Sequence, residues 1–567
     1  MKLLLLMLPR KPHPPSLHLM IRAIKKAVQQ IRTVVVGKPA LFLIDINSGQ
    51  VLPVKGIPKS LSTGRVVWAP STQGLHQYLV FVGWSSNQRK LGIKHCYNRP
   101  CALYAVRAPI YASEATDFEV KESPNEDSPV LNLTESISSA FFPSFSPDGR
   151  FLVFLSRSCS VDSGAHSATD SFHRIDWPVK LIPVVWSAED GCFPGLYCSY
   201  FISNPWLSDG CTMIVSSTWG SSQVILSVNV LSGVVSRISP TDSNFSWNLL
   251  TLDGDNIISV FSSPVDVPQI KYGYLVDTAA WDWLDVSSPI FRCSAEVNYL
   301  LSSRQFTILK IPVKDVSDCL TKGASKPFEA IFVSRQSKKN DVSDPLIVVL
   351  HGGPHGVSLS GFAKSYAFLS SLGYSLLIVN YRGSTGFGEE ALQSLLGNVG
   401  SQDVNDVITA IDHVIDTGVA SPSKIAVIGG SHGGFLTTHL IGQAPDKFVA
   451  AAVRNPTSLI GAMRKPMELR EKSKFTEAPS VEDLAHFHSK SPISHISKVK
   501  TPIIFTLGGK DLRVPLSNGL QYARALKEKG VEVKILMFPN DEHPIERPQS
   551  DYESHLNIAV WFNKYCK

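Results

Sequence analysis

The sequence is short of the features that most readily assign a chain. Cysteine is scarce: nine in 567 residues, eight of them before residue 320 and without regular spacing. That argues against a disulfide framework, and Cys96 and Cys101, the nearest approach to a pattern, have no second Cys/His pair at zinc-ligand spacing. Reduced, packed thiols suit a cytosolic chain, and no metal or cofactor is expected. Charge is also modest. Charged residues make up 18% and the net charge is +6. Lys and Arg are scattered apart from a small cluster at Arg22, Lys25, Lys26 and Arg32, so no nucleic-acid footprint is present. No apolar run approaches the roughly 20 residues of a bilayer span, so no membrane partner is expected. The opening MKLLLLMLPRKPHPPS is a poor secretion signal: its apolar run, Leu3 to Leu8, is short and no small-residue cleavage site follows. The sequons at Asn132 and Asn244 therefore carry no assignment.

What is present is enough apolar sequence, 44%, to bury a large core. The length exceeds what one core usually supports, so two or more domains are expected. Residues 1–39 read as a leader, in which IRAIKKAVQQIRTVVV is either a basic amphipathic helix or a solvated, disordered stretch. From 40 to 325 short β-runs alternate with turn clusters. Four segments share one form, a Gly-containing turn followed by an apolar strand: WAPSTQGLHQYLVFVGW from Trp68, FSPDGRFLVFLS from Phe145, WLSDGCTMIVSS from Trp206 and LDGDNIISVFSS from Leu252. Such loosely periodic multi-strand units fit a β-propeller whose closure the pattern leaves open, with a β-sandwich as the alternative.

From 326 to 567 the pattern changes. PLIVVL (345–350), YSLLIVN (374–380), KIAVIG (424–429) and TPIIFTL (501–507) are continuous apolar runs, as expected of strands buried on both faces of a parallel sheet. Between them, DVNDVITAIDHVID places Val404, Val407, Ile408, Ile411, Val414 and Ile415 on one helical face. The expectation is a doubly wound α/β domain with a mostly parallel sheet.

Gly429-Gly430-Ser431-His432-Gly433 satisfies G-x-S-x-G, between a buried strand and an apolar helix. Glycines there permit the sharp turn that exposes a nucleophilic serine. Gly-Gly-Ser also occurs in plain turns; the strand-to-helix placement favours the nucleophile. A serine hydroxyl needs a base, and the base needs an acid to fix its tautomer. In the order Ser, Asp, His, the acid is Asp511 in TPIIFTLGGKDLRVP and the base is His543 in KILMFPNDEHPIE. A capping role for Asp511 and an exposed loop position for His543 are the bland alternatives. His488 in LAHFHSKSP is the rival base, His432 is the x of the elbow, and Asp541 lies too near His543 in sequence. An oxyanion hole would combine the His432 N–H with a donor from His351-Gly352-Gly353-Pro354 of VVLHGGPHG, an HGG-type loop after the first of these strands, and elbow, acid, base and loop together make the expected domain an α/β-hydrolase.

LHGGPHG, NYRGSTGFGEE, GGSHGGF, GGKDLRVP and DEHPIE together resemble the prolyl oligopeptidase family of serine peptidases, most closely its acylaminoacyl peptidases. LGIKHCYNRPCALYAV and FSPDGRFLVF are similar to that group's propeller, particularly in the plant form. The resemblance implies Ser431, Asp511 and His543 as triad, Gly353 and His432 as oxyanion donors, and Arg513 as a substrate contact. It implies release of an N-acylated, typically N-acetylated, residue from short peptides, a propeller that excludes folded proteins, and a dimer or tetramer. His355 and Tyr381 lie in its motifs without an assigned chemistry. The family's propeller has about seven blades; four blade cores are legible here, so the propeller is expected to be shortened at its N-terminus. A dipeptidyl peptidase, an oligopeptidase or a carboxylesterase of the same fold, and an inert propeller–hydrolase scaffold, are the competing expectations.

Overall fold

The computed structural model describes residues 3–9, 39–45, 49–70, 77–85, 98–109, 130–175, 178–241, 244–277, 280–287, 294–314, 320–336, 344–457 and 480–566. Residues 10–38 of the leader, Cys96 and the turn at Gly74 lie outside them.

Its N-terminal part is a succession of five small antiparallel sheets. The first joins Leu3–Pro9, Pro39–Asp45 and Val51–Pro53. The second runs through Leu61–Trp68, Tyr78–Ser85, Cys101–Arg107 and Leu131–Asn132, and the third through Phe141–Phe145, Leu152–Ser156, Ser171–Ile175 and Pro178–Ile182. The fourth holds Thr212–Trp219, Ser222–Asn229 and Val235–Arg237, and the fifth Ser246–Asp253, Asn256–Ser262, Gln269–Asp277 and Ala280–Ser287. The four repeated segments fall in the second to fifth sheets, in order. Gly149, Gly210 and Gly254 all adopt positive φ, as their tight turns require. The first sheet lacks that turn signature, and Leu3–Pro9 pairs with a strand far along the chain; sequence places it in the leader. Successive sheets pack through shared apolar clusters: Leu41 with Phe81, Val82 with Phe154 and Val215, Ile225 with Trp247.

The C-terminal part is built on one eight-stranded sheet. Its strands are β1 (Arg304–Ile311), β2 (Phe328–Arg335), β3 (Leu346–Leu350), β4 (Ser375–Asn380), β5 (Ile425–Gly430), β6 (Ala450–Arg454), β7 (Ile503–Gly508) and β8 (Val533–Phe538), in the order β1-β2-β4-β3-β5-β6-β7-β8. β1 and β2 are antiparallel, and from β4 to β8 every pairing is parallel. This sheet begins ahead of residue 326. β1 is a half-exposed edge strand, RQFTILKI, so it lacks the continuous apolar run that marks the central strands.

Those runs are continuous because alternate residues serve two layers. Leu346, Val348 and Leu350 face one core and Ile347 the other; Leu377 and Val379 oppose Leu376 and Ile378. The first layer is completed by α3 (Gln402–Asp416), α4 (His432–Gln443) and α6 (Leu516–Glu528), the second by α1 (Lys364–Ser371) and α7 (Pro548–Cys566). The short α2 (Glu389–Gln393) and α5 (Val481–Ser489) contribute to neither layer's core. In α3, Val404, Val407, Ile411 and Val414 are buried, and Ile408 and Ile415 pack beside them, as the periodicity predicts.

The loop after β4 is tied to α3 by a buried ion pair. Arg382 Nη2 and Nε reach Asp406 Oδ1 and Oδ2 at 2.7 and 3.0 Å, and the Arg382 backbone N–H donates to Oδ2 at 2.9 Å. Both residues are buried. Removing one partner strands the other charge, so Arg382→Met is expected to lower unfolding free energy by about 3 to 5 kcal/mol, with Arg382→Met/Asp406→Leu recovering much of it. Calorimetry of the two variants checks this; an equal loss in both would contradict it.

Candidate active site

Four loops leave the C-terminal ends of parallel strands and converge, as ligand sites on open α/β sheets do. Ser431 follows β5 and caps α4 with φ 58° and ψ −118°, a conformation that disfavours any side-chain-bearing residue by about 1 to 3 kcal/mol. Close packing holds it there. A Cβ on Gly429 would lie 2.1 Å from the Gly433 carbonyl oxygen, one on Gly433 2.2 Å from that of Leu350, and one on Gly434 2.9 Å from Pro456 Cβ. The Ser431 N–H donates to the Arg454 carbonyl at 2.8 Å, and the Ser431 carbonyl accepts from Phe435 at 3.0 Å.

Asp511, after β7, is buried. Its Oδ2 accepts from His543 Nδ1 at 2.7 Å, and Oδ1 accepts from the backbone N–H groups of Arg513 and Val514 at 2.8 and 2.9 Å. The carboxylate thus fixes the imidazole as the Nδ1–H tautomer and leaves Nε2 to act on a proton. His488 is exposed near the end of α5. Asp541 accepts from Ser550 Oγ at 2.6 Å and from the Arg547 N–H, holding the loop that carries His543 rather than the imidazole. Arg513 is half-buried and joined to the acid through its own backbone.

His432 opens α4, where the first amides have no intrahelical acceptor and the helix dipole favours negative charge. Its ring is held at Nε2 by Asp403 Oδ2, 3.0 Å away, while Asp403 Oδ1 accepts from the Gly400 N–H at 2.7 Å. The HGG loop after β3 lies directly over the serine: a Cβ on Gly352 would sit 3.2 Å from Ser431 Cβ and 3.8 Å from Oγ. His351 donates from Nδ1 to the Gly352 carbonyl at 2.8 Å and stacks on Tyr381 at 4.5 Å between centroids. Because carbonyl and N–H of a trans peptide point in opposite directions, that bond also sets the direction of the Gly353 N–H. His355 donates to the Gly383 carbonyl at 2.7 Å.

Asn455 was not legible in the sequence as part of this arrangement. It follows β6 at φ 43°, donates from Nδ2 to the His543 carbonyl at 2.6 Å, and accepts at Oδ1 from the Gly508 N–H at 2.8 Å. One side chain therefore spaces the end of β7, three residues ahead of Asp511, from the loop that carries His543. Asp403 was read only as part of an amphipathic helix. An Asn immediately before Pro at a strand end and an Asp in the first turn of a helix are weak signals, because both serve commonly as caps.

A strained serine at the turn from β5 to α4, with a His–Asp pair and an HGG loop at neighbouring strand ends, defines a serine hydrolase of the α/β-hydrolase class. Residues 35–298 match the acylamino-acid-releasing enzyme N-terminal domain, and residues 360–567 the prolyl oligopeptidase family. The acylamino-acid-releasing enzyme of Arabidopsis thaliana is 59% identical, across 94% of this chain and 72% of the relative; the human enzyme of that name is 32% identical, across 93% and 69%. The solved Pyrococcus horikoshii acylaminoacyl peptidase superposes with a TM-score of 0.68 at 18% identity, across 94% of this chain and 74% of that one, a likeness of fold. The chain belongs to the acylamino-acid-releasing enzymes of the prolyl oligopeptidase family.

Two outcomes test the geometry. Asn455→Ala is expected to lower kcat by about 10- to 100-fold with the fold intact, as the base loses its spacing from the acid; an unchanged kcat would contradict it. Burial holds His351, His355 and His439 neutral, with pKa values pushed down to about 4, about 3 and about 3. The unfolded chain protonates histidine near pH 6.5, so between about 6.5 and 4 it binds more protons than the native state and stability falls as pH falls. Asp170, Glu329 and Asp406, all raised by burial, oppose this, but His495 and His555 are lowered by burial as well, which sets five histidines against three carboxyls. Tm should therefore drop steadily below about pH 6.5, and a flat Tm over that window would contradict the neutral assignments.

Proposed function

We propose that this chain removes the N-acylated, typically N-acetylated, first residue of short peptides through an acyl-enzyme on Ser431. The 2.7 Å pairing of His543 with Asp511, on the same edge of the parallel sheet as the strained serine, carries the reading. His543 takes the Ser431 proton as Oγ attacks the first peptide carbonyl, and Asp511 stabilises the imidazolium formed. The His432 and Gly353 N–H groups receive the oxyanion, and His543 then protonates the leaving amine. Water, deprotonated by the same histidine, hydrolyses the ester. Arg513, half-buried and near Asp511 in sequence, contacts the peptide in this reading. No metal or cofactor enters these steps.

The relatives' name and the matched N-terminal domain support acyl-residue release over dipeptidyl, oligopeptidase or esterase activity. The same match supports reading the five sheets as blades that cover the active-site face and exclude folded proteins, with the seam between the two domains falling between Ser287 and Arg304. Among the described residues no helix is long and apolar enough to cross a membrane. Cys101, Cys192, Cys198 and Cys211 are free thiols, which supports a cytosolic location. A dimer or tetramer completes the proposal.

Purified protein should release p-nitroaniline from acetyl-alanine p-nitroanilide but not from unblocked alanyl-alanine p-nitroanilide, and Ser431→Ala should lose at least about 10,000-fold. Preference for the unblocked substrate would overturn the substrate class; a fully active mutant would overturn the nucleophile.

A further inference from the structure

The loop that carries Gly353 is gripped from both domains. Within the catalytic domain, His351 donates to the Gly352 carbonyl at 2.8 Å. From the third N-terminal sheet, His166 Nδ1 lies 3.1 Å from the Gly353 carbonyl. A carbonyl can only accept, so His166 must carry a proton on Nδ1. Two successive carbonyls are thus each held by an imidazole N–H, and the Gly353 N–H lies between them.

We propose that His166 is a positioning residue of the N-terminal domain that completes the oxyanion hole, so that docking of this domain pre-organises the catalytic loop. The segment bearing it is built to dock rigidly. Ser160 Oγ donates to the Ala165 carbonyl at 2.6 Å, and Asn98 Nδ2 to that of Gly164 at 2.7 Å. Ala165 packs with Tyr197 against Leu392 of α2 in one buried cluster. Three residues beyond His166, the Thr169 N–H donates to the buried Glu389 carboxylate at 2.7 Å, and Thr169 Oγ1 donates to Tyr197 Oη at 2.9 Å, which accepts from the Gly388 N–H at 3.0 Å. His166 is therefore flanked on both sides in sequence by fixed contacts to the catalytic domain, and its own contact falls on the residue expected to supply an oxyanion donor. Gly353 has φ 131°, a backbone state that glycine leaves soft, so an external hold on its carbonyl has something to fix.

The inference rests on the serine-hydrolase reading, and the experiment separates the two. Wild type, His166→Ala and His166→Asn are compared by kcat and KM on acetyl-alanine p-nitroanilide, by Ki for an N-acetylated dipeptide aldehyde, whose hemiacetal oxygen occupies the oxyanion hole, and by Tm. Asparagine offers an amide N–H near the position of Nδ1. Losing an oxyanion donor outright costs about 100- to 1000-fold, so a loosened one is expected to lower kcat by about 10- to 100-fold in His166→Ala. KM and Tm should stay close to wild type, the aldehyde should bind more weakly by a similar factor, and His166→Asn should recover most of both. An unchanged kcat in His166→Ala beside an active wild type would overturn the proposal. So would a fall in Tm and kcat with aldehyde affinity intact, the signature of a purely structural contact. A wild type that ignores the anilide yet binds the aldehyde in a His166-dependent way counts against the substrate class and supports the role of His166.

Discussion

The close approach of α4 to the ends of β3 and β5 is the constraint on which the site depends. The Leu350 carbonyl lies where a side chain on Gly433 would begin, and the Gly433 carbonyl lies where one on Gly429 would begin. With those positions closed to any Cβ, the chain must turn within the few residues between β5 and α4, and Ser431 occupies the strained corner of that turn. The strain is local and small beside the burial of the surrounding strands, which are nearly all inaccessible to solvent. A rigid sheet thus stabilises a backbone state that an isolated turn would leave within nanoseconds to microseconds.

From that corner the rest of the site is spaced by backbone groups and few side chains. The Arg454 carbonyl accepts from Ser431, and the next residue, Asn455, reaches both the end of β7 and the loop after β8. Adjacent residues at and just beyond the end of β6 therefore connect the elbow to the segments that carry Asp511 and His543. On the opposite side, Asp403 of α3 holds the ring of His432, and His351 holds the peptide ahead of Gly353. Each residue of the expected chemistry has a second residue fixing it, which keeps catalytic geometry within the fraction of an ångström that positioning requires.

The sheet and the residues at its strand ends were legible because their signals are physical necessities: two-sided burial gives continuous apolar runs, and the elbow admits only glycine at fixed positions. β1 escaped because an antiparallel edge strand with one solvated face looks like any other half-buried strand. The first small sheet escaped because Leu3–Pro9 pairs across a long stretch of intervening chain, a contact that no local pattern announces. Asn455, Asp403 and His166 escaped for a related reason. Each acts through hydrogen bonds to residues distant in sequence, and a polar residue in a cap or a loop carries no mark of the partner it will meet.

His166 also bears on why the chain places a domain of small sheets ahead of its catalytic domain. A cover that only narrowed the entrance could rest on the catalytic domain through any polar seam, and much of the seam is of that kind: Ser222 with Ser360, Ser221 with Asn380, Lys310 with Asp190. These contacts fix the relative placement of the domains without approaching the serine. The segment 164–170 differs, because it is anchored at Glu389 and Leu392 and ends on the Gly353 carbonyl. On the proposed roles of Ser431 and His166, such an interface would link closure to competence: with the domains apart the loop would lose one of its two imidazole holds, and reaction in an open, water-filled state would be disfavoured.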